Sequence, residues 1–458
     1  MEREQLCFRK KIIFADSITA LENEREEFWK KVNSLFESGE KDRAIKWVED
    51  MYIDLQSFLT AWKLDRWYNP SKKKEFVEAC RKFLTVNSDE TLQSADKEVE
   101  DIGNCNLMKV TKASLEGRFN VYWGHDQCDE IDYSLRRGAC FTTSNPGKVN
   151  AFRKNNPKEW AEMLAEAKTE FPDADAVKLV SVMTLKVVAM MARYTSPIYD
   201  ATDGHYGFSS IQVSPKNWDN AKAMEDEICF WYELFIKELK TDTPNITFKV
   251  PATPAAVIAA KAVNEKYARI RLCATSNFST RQHIEFYDVL KNRDPVTLLV
   301  IVDVHLRTFA KPEFEAMGVD VEKYNRLLVS MIYRRCYRQL RENNLNIEIN
   351  GAGIRDSEGV KNNYTDDMAL PTNLTIMTGV VKDCNIHPQP IVDAMHDEIS
   401  PEDLAVLDKC SIFRQAYYPD EFPWNDIRSF PPYKLMMDKF EEAYDENVEV
   451  MANMLKEA

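Results

Sequence analysis

One lysine in this sequence stands where a strand would turn it away from solvent. The run is Asn245-Ile246-Thr247-Phe248-Lys249-Val250-Pro251-Ala252-Thr253. Strand side chains alternate between faces. Ile246, Phe248 and Val250 therefore share an apolar face, and Thr247 and Lys249 share the other. If that second face lines the inside of a closed sheet, the amine is cut off from water. Desolvation disfavours the ammonium form and lowers the lysine pKa. A neutral amine can add to a carbonyl and form an iminium, which draws electrons from the adjoining C–C bond. Parity alone is also met by a lysine that reaches the rim, so the neighbouring runs carry the decision.

Those runs show the same alternation. Ile211 and Val213 face one way, and Ser210, Gln212 and Ser214 the other; Ile270 and Leu272 oppose Cys273 and Thr275. The interior of a parallel barrel is usually filled with bulky apolar side chains, so polar strand ends point to a site. Asp126 follows the first strand-like run. A carboxylate beside such a lysine can carry the hydroxyl proton when a C–C bond breaks, whereas Asp129 reads as a helix cap. The seventh run ends in Gly351-Ala352-Gly353-Ile354-Arg355. Small residues admit a ligand to the backbone, and Arg355 offers a planar donor fork to phosphate. Arg307, just past the sixth run, is a second phosphate ligand on this reading.

Eight short runs must position these groups: 119–123, 139–142, 208–213, 245–250, 270–274, 297–302, 346–350 and 373–377. Helical patterns such as 220–239, 254–266 and 321–342 separate them. Strands alternating with helices predict a (β/α)8 TIM barrel over residues 118–385. An open doubly wound sheet is the alternative, but it usually has a Gly-rich turn after its first strand, and Gly124-His125-Asp126-Gln127-Cys128-Asp129 is not one. Residues 1–117 read as a helical N-terminal extension, with a polar connecting stretch at 87–106. Residues 386–458 read as a C-terminal helical segment packed on the barrel.

With 458 residues and a formal charge of −14, the chain is a poor match for nucleic acid or an anionic membrane, both of which call for a basic surface. The N-terminus lacks an apolar signal core. The apolar stretch 176–192 contains Lys178 and Lys186 and reads as a buried helix. Ten cysteines occur without a C-x-x-C pair, and the six histidines form no metal motif. The expectation is a cytoplasmic protein with reduced thiols, no metal and no cofactor, acting on a small molecule. A homo-oligomer remains open.

At this point the pattern resembles the transaldolase family, including its fructose-6-phosphate aldolase branch. Phe141-Thr142-Thr143-Ser144-Asn145-Pro146 is similar to the family's Thr-Thr-Asn-Pro turn, with one residue inserted. Phe248-Lys249-Val250-Pro251-Ala252-Thr253 resembles the Schiff-base lysine motif. Ala274-Thr275-Ser276-Asn277-Phe278-Ser279 with Gln282 resembles Thr-x-x-Phe-Ser-x-x-Gln, and the Gly351–Arg355 segment resembles Gly-Ala-Ser-x-Arg.

The resemblance implies Lys249 as nucleophile and Asp126 as acid/base. It implies Thr275 and Gln212 at the catalytic water, Asn145 and Ser279 on substrate, and Arg355 and Arg307 on phosphate. The implied activity is transfer of a dihydroxyacetone unit between sugar phosphates, such as sedoheptulose 7-phosphate or fructose 6-phosphate as donor, in the pentose phosphate pathway. Three positions depart from the family. Gln212 stands where transaldolases carry a glutamate, as in the aldolase branch; Cys273 replaces an asparagine; Gly353 replaces a serine. Two further outcomes follow from these departures: an aldolase releasing free dihydroxyacetone, or a silent barrel serving assembly.

Overall fold

The computed structural model describes residues 1–62, 70–267, 269–291, 293, 297–352, 374–378 and 395–457. Its centre is a curled parallel sheet with helices packed outside, a TIM-like α/β fold. The strands are β1 (Val121–His125), β2 (Thr142–Thr143), β3 (Ser209–Gln212), β4 (Ile246–Pro251), β5 (Arg271–Asn277), β6 (Thr297–Val302), β7 (Ile347–Ala352) and β8 (Leu374–Thr378). Each pairs in parallel with the next, and β8 pairs back to β1. The chain between β7 and β8, and that directly after β8, lies outside the described residues.

Among the described residues six α-helices precede the sheet: α1 (Arg3–Ile13), α2 (Ile18–Glu37), α3 (Lys41–Gln56), α4 (Pro70–Asn87), α5 (Asp89–Asn104) and α6 (Asn106–Leu115). The polar stretch expected to be a connection is thus helix α5. Its few apolar residues, Leu92, Ala95, Val99 and Ile102, recur at helical spacing and reach the helical core, while Ser88 caps its first turn by accepting from the Thr91 amide. An acidic exposed face hid this narrow stripe. The N-terminal helices have their own core, centred on Phe28, Trp47 and Phe76, and most of it is separate from the core around the sheet.

Between and beyond the strands lie α7 (Ile131–Leu135), α8 (Pro146–Asn155), α9 (Pro157–Glu170), α10 (Ala176–Ala201), α11 (Ala221–Leu239), α12 (Pro254–Lys266), α13 (Thr280–Leu290), α14 (Asp303–Met317), α15 (Val321–Glu342), α16 (Pro401–Leu407), α17 (Ser411–Tyr417) and α18 (Pro431–Glu457). Helix α10 contains the apolar stretch predicted as a buried helix, and most of its residues are buried. No helix among the described residues is long and apolar enough to cross a membrane. Asp129 does not cap α7: Glu130 holds that position, and the Asp129 carboxylate accepts from Asn155 on α8 at 2.8 Å instead. The left-handed backbone at Glu130 advances the helix start by one residue.

The N-terminal end of the barrel is sealed by rings and paired charge. Tyr122 stacks on Tyr206 with centroids 4.3 Å apart, and Trp62 packs against both. Arg271 lies over the Phe208 ring and pairs with Glu348 at 3.6 Å, both buried. Phe141 stacks on Phe208, and the room for its ring is made at Gly124, where any Cβ would collide with it.

The helical region is tied to the barrel by buried ions. Arg136, at the end of α7, donates to Asp54 at 2.7 Å and to Asp50 at 3.1 Å, both on α3. Arg9 of α1 pairs with Asp132 of α7. Gln5 supplies a further hydrogen bond to Asp50 at 2.9 Å.

Candidate active site

Lys249 is 4% exposed. Its Nζ donates to Thr143 Oγ1 at 3.1 Å and to the Ser144 carbonyl at 3.0 Å. Both partners lie at the end of β2, two strands away, so the side chain crosses the barrel interior past β3. The inward orientation expected from parity is therefore met. Neither partner is charged, and among the described residues Lys249 forms no ion pair. Burial holds its pKa below the ordinary lysine value, opposed by the fields of Cys273, Asp126 and Cys128 and aided by the like charge of Lys148. The balance shifts Lys249 toward the neutral amine relative to a lysine in water.

Register places the neighbours. Gln212 on β3 and Cys273 on β5 flank Lys249 directly. In barrels of this type the register climbs by about one residue per strand, so inward residues on alternate strands share a layer. Asp126, Gln212 and Thr275, following or on β1, β3 and β5, fall in one such layer at the C-terminal face. Asp126 is partly exposed directly after β1, and its field reaches Lys249. Gln212 and Thr275 are buried at 6% and 2% exposure, and Gln212 Oε1 makes no hydrogen bond to protein. Beneath them sit Ser210, Cys273 and Asn350. Burial pushes the Cys273 thiol up to about 12, which keeps it a neutral neighbour rather than a rival nucleophile.

The other expected residues are placed less directly. The Asn145 side chain accepts from the Lys148 amide at 3.0 Å as the N-cap of α8, at the mouth of the barrel. Ser279 is fully buried, caps α13 and shares hydrogen bonds with Gln282. Gln282 is the clamp of this corner: its Oε1 accepts from the Phe278 amide, and its Nε2 donates to the Ala252 and Ser276 carbonyls at 3.0 Å each. It joins the ends of β4 and β5 and so fixes the lysine strand against the threonine strand. Arg307 lies in the second turn of α14, half-buried. Arg355 lies outside the described residues.

Several contributors were not singled out from sequence. Thr143 and the Ser144 carbonyl hold the lysine amine, and Lys148 adds a like charge. His125, buried behind Asp126, is bracketed at 2.7 Å by the Asp129 carbonyl and the Ser134 hydroxyl, and burial lowers its pKa. Its strand parity marks it as outward, the one signal the sequence offered. Helix α18 crosses the ends of β2, β3 and β5: Asn447 donates to the Pro146 carbonyl at 3.5 Å, Lys216 reaches Asp445 at 2.7 Å, and Ser276 faces Met437 at 3.9 Å. Only tertiary packing brings a C-terminal helix to this face.

Among the described residues no group of histidine, cysteine or carboxylate side chains has the arrangement to hold a metal ion, and every described cysteine is free. The site is thus a deeply buried amine among neutral donors and acceptors, with one carboxylate at its rim. That arrangement suits carbonyl addition followed by C–C cleavage. No curated protein matches the chain. The profile of the family described as Transaldolase/Fructose-6-phosphate aldolase matches residues 127–418, a span that includes Lys249 and every expected site residue except Asp126, which precedes it by one position. The chain belongs to the transaldolase/fructose-6-phosphate aldolase family.

Proposed function

We propose that this enzyme cleaves and remakes the C3–C4 bond of a phosphorylated ketose through a Schiff base on Lys249, in a complete (β/α)8 barrel spanning residues 118–385. The observation that carries the reading is the buried Lys249 amine, held only by neutral oxygens and short of a counterion among the described residues. The neutral amine adds to the ketose C2 carbonyl, and the carbinolamine loses water to give the iminium. The Asp126 carboxylate takes the proton of the C4 hydroxyl, the C3–C4 electron pair moves into the iminium, and an aldose phosphate leaves. The retained enamine then adds to an acceptor aldose phosphate, which takes its proton back from Asp126. Hydrolysis of the resulting iminium frees the new ketose and the lysine. In this scheme Thr275 and Gln212 hold the water that enters and leaves, Asn145 and Ser279 serve the substrate hydroxyls, and Arg355 and Arg307 serve the phosphate.

Borohydride reduction in the presence of fructose 6-phosphate should add one dihydroxyacetone-derived mass to the chain at Lys249. An unmodified chain across a panel of ketose phosphates would overturn the reading. Gln212 favours a second outcome, in which the enamine is protonated and dihydroxyacetone is released, because an amide cannot ionise as a glutamate does. Product analysis without an acceptor separates the two: free dihydroxyacetone marks the aldolase, and turnover only with erythrose 4-phosphate or glyceraldehyde 3-phosphate marks the transferase.

A further inference from the structure

A small cavity lies behind the end of β3. It holds about 20 Å³ and is bordered by Gln212, Ser214 and Ser144 from the strand ends, Glu227 from α11, and Tyr444 and Asn447 from α18. A space of this size fits one water, provided it meets two or more polar partners. The wall is rich in acceptors. Gln212 Oε1 and Asn447 Oδ1 are buried and make no hydrogen bond to protein. The Glu227 carboxyl is held by the Ser214 amide at 2.8 Å and by Asn217 Nδ2 at 3.3 Å, and both bonds use Oε2.

We propose that Glu227 is a positioning residue for Gln212, acting through a single water bound in this cavity. The proposal rests on the Schiff-base reading and deepens it. A water has two protons to give, while Gln212, Asn447 and the open Glu227 oxygen present three acceptors. A protonated Glu227 removes that excess by becoming a donor. Burial pushes the Glu227 carboxyl up to about 7, against the opposing pull of the Ser214 amide, Asn217 and Lys178.

The ionisable groups around it are Lys178 on α10 and Tyr444 on α18, with Asp175 and Asp445 beyond the tyrosine. With its oxygen engaged by the water, Gln212 turns its amide nitrogen toward the barrel interior and acts there as a donor. The strand-three carboxylate of the transaldolase pattern would then have a counterpart one layer farther out, on a helix.

The test is a double-mutant cycle read by pH profile. Glu227→Leu should lower kcat by about five- to tenfold, the scale of one hydrogen bond, with KM unchanged, whereas Glu227→Gln, whose amide nitrogen donates as the protonated carboxyl does, should keep kcat and remove a limb near pH 7 from the kcat profile. In a Gln212→Leu background Glu227→Leu should have no further effect, which a merely structural role would not predict. Full kcat in Glu227→Leu, or an unaltered pH limb in Glu227→Gln, overturns the proposal, as does an additive loss in the double variant. Two measurements stand apart from turnover. The carboxyl infrared band lost in Glu227→Gln should titrate near 7 in the wild type. A high-resolution crystal structure should place one water between Gln212 and Glu227; a Gln212 amide bonded to protein alone overturns the idea. If the wild type forms no borohydride adduct, the Schiff-base reading falls, and these two results still decide the Glu227–Gln212 link.

Discussion

The two ends of the barrel treat buried charge in opposite ways. At the N-terminal end Arg271 faces Glu348, an aromatic ring and two carbonyls. At the C-terminal end Lys249 faces a hydroxyl and one carbonyl. Burial depresses the pKa of both cations. Arginine keeps its proton under such conditions, whereas lysine gives it up readily. The same desolvation therefore acts on an ion pair at one end and on an amine without a paired carboxylate, among the described residues, at the other. What differs is the side-chain chemistry and the presence of a carboxylate within reach.

The largest effect that would break this contrast is at Lys249, the proposed nucleophile. Lys249→Met should abolish the borohydride adduct and lower turnover by several orders of magnitude, measured by mass spectrometry and coupled assay. It should leave the melting temperature equal or higher, because an apolar side chain removes the cost of burying the amine. A marked loss of stability would mean that Lys249 is a structural group like Arg271.

Asp126→Asn comes next. It should still form the adduct but lower kcat by about a hundredfold or more, since proton transfer and not carbonyl addition is lost. Adduct loss equal to that of Lys249→Met would merge the two roles.

At the opposite end, Arg271→Met should cost about 3–5 kcal/mol in urea unfolding by leaving Glu348 buried and alone. The double change Arg271→Met with Glu348→Leu should recover most of that loss. Trapping at Lys249 should survive in the folded fraction of both variants.

The smallest effect is on the pH dependence of stability. Burial pushes Glu348, like Glu227, up to about 7. A raised carboxyl binds its proton more tightly in the folded state, so its contribution is full below the ordinary carboxylate range. It is lost as pH rises through about 7. Urea midpoints should therefore fall between about pH 5 and 7.5, and Glu348→Gln should flatten part of that slope. A midpoint that rises over this interval would contradict the burial of these carboxyls.

The legible parts of this protein were those written in local pattern. The β4 alternation of Ile246, Phe248 and Val250 against Thr247 and Lys249 gave the lysine its inward face, and the crossing from β4 to β2 agrees. The helix at 176–192 was legible for the same reason. Helix α5 was not, because its apolar stripe of four residues lies among eight Asp, Glu, Asn and Gln side chains and Lys97. Asp129 was misread because the one-residue shift at Glu130 depends on a left-handed backbone that no residue type there announces. The clamp role of Gln282 was half-legible: its motif was visible, but the carbonyls it joins come from two separate strands.

The sequence by itself determined the strand faces, the order of strands and helices, and the residue types able to do chemistry, because period and side-chain identity are local properties. Tertiary structure alone decided which of those residues meet. It set Thr143 and Ser144 against Lys249 across 105 residues or more, closed the floor with Arg271 and Glu348, and laid the Asn447 helix behind Gln212. These are contacts between segments far apart in the chain. They are fixed by barrel closure and by the burial of apolar faces on one another, which no local window of sequence contains.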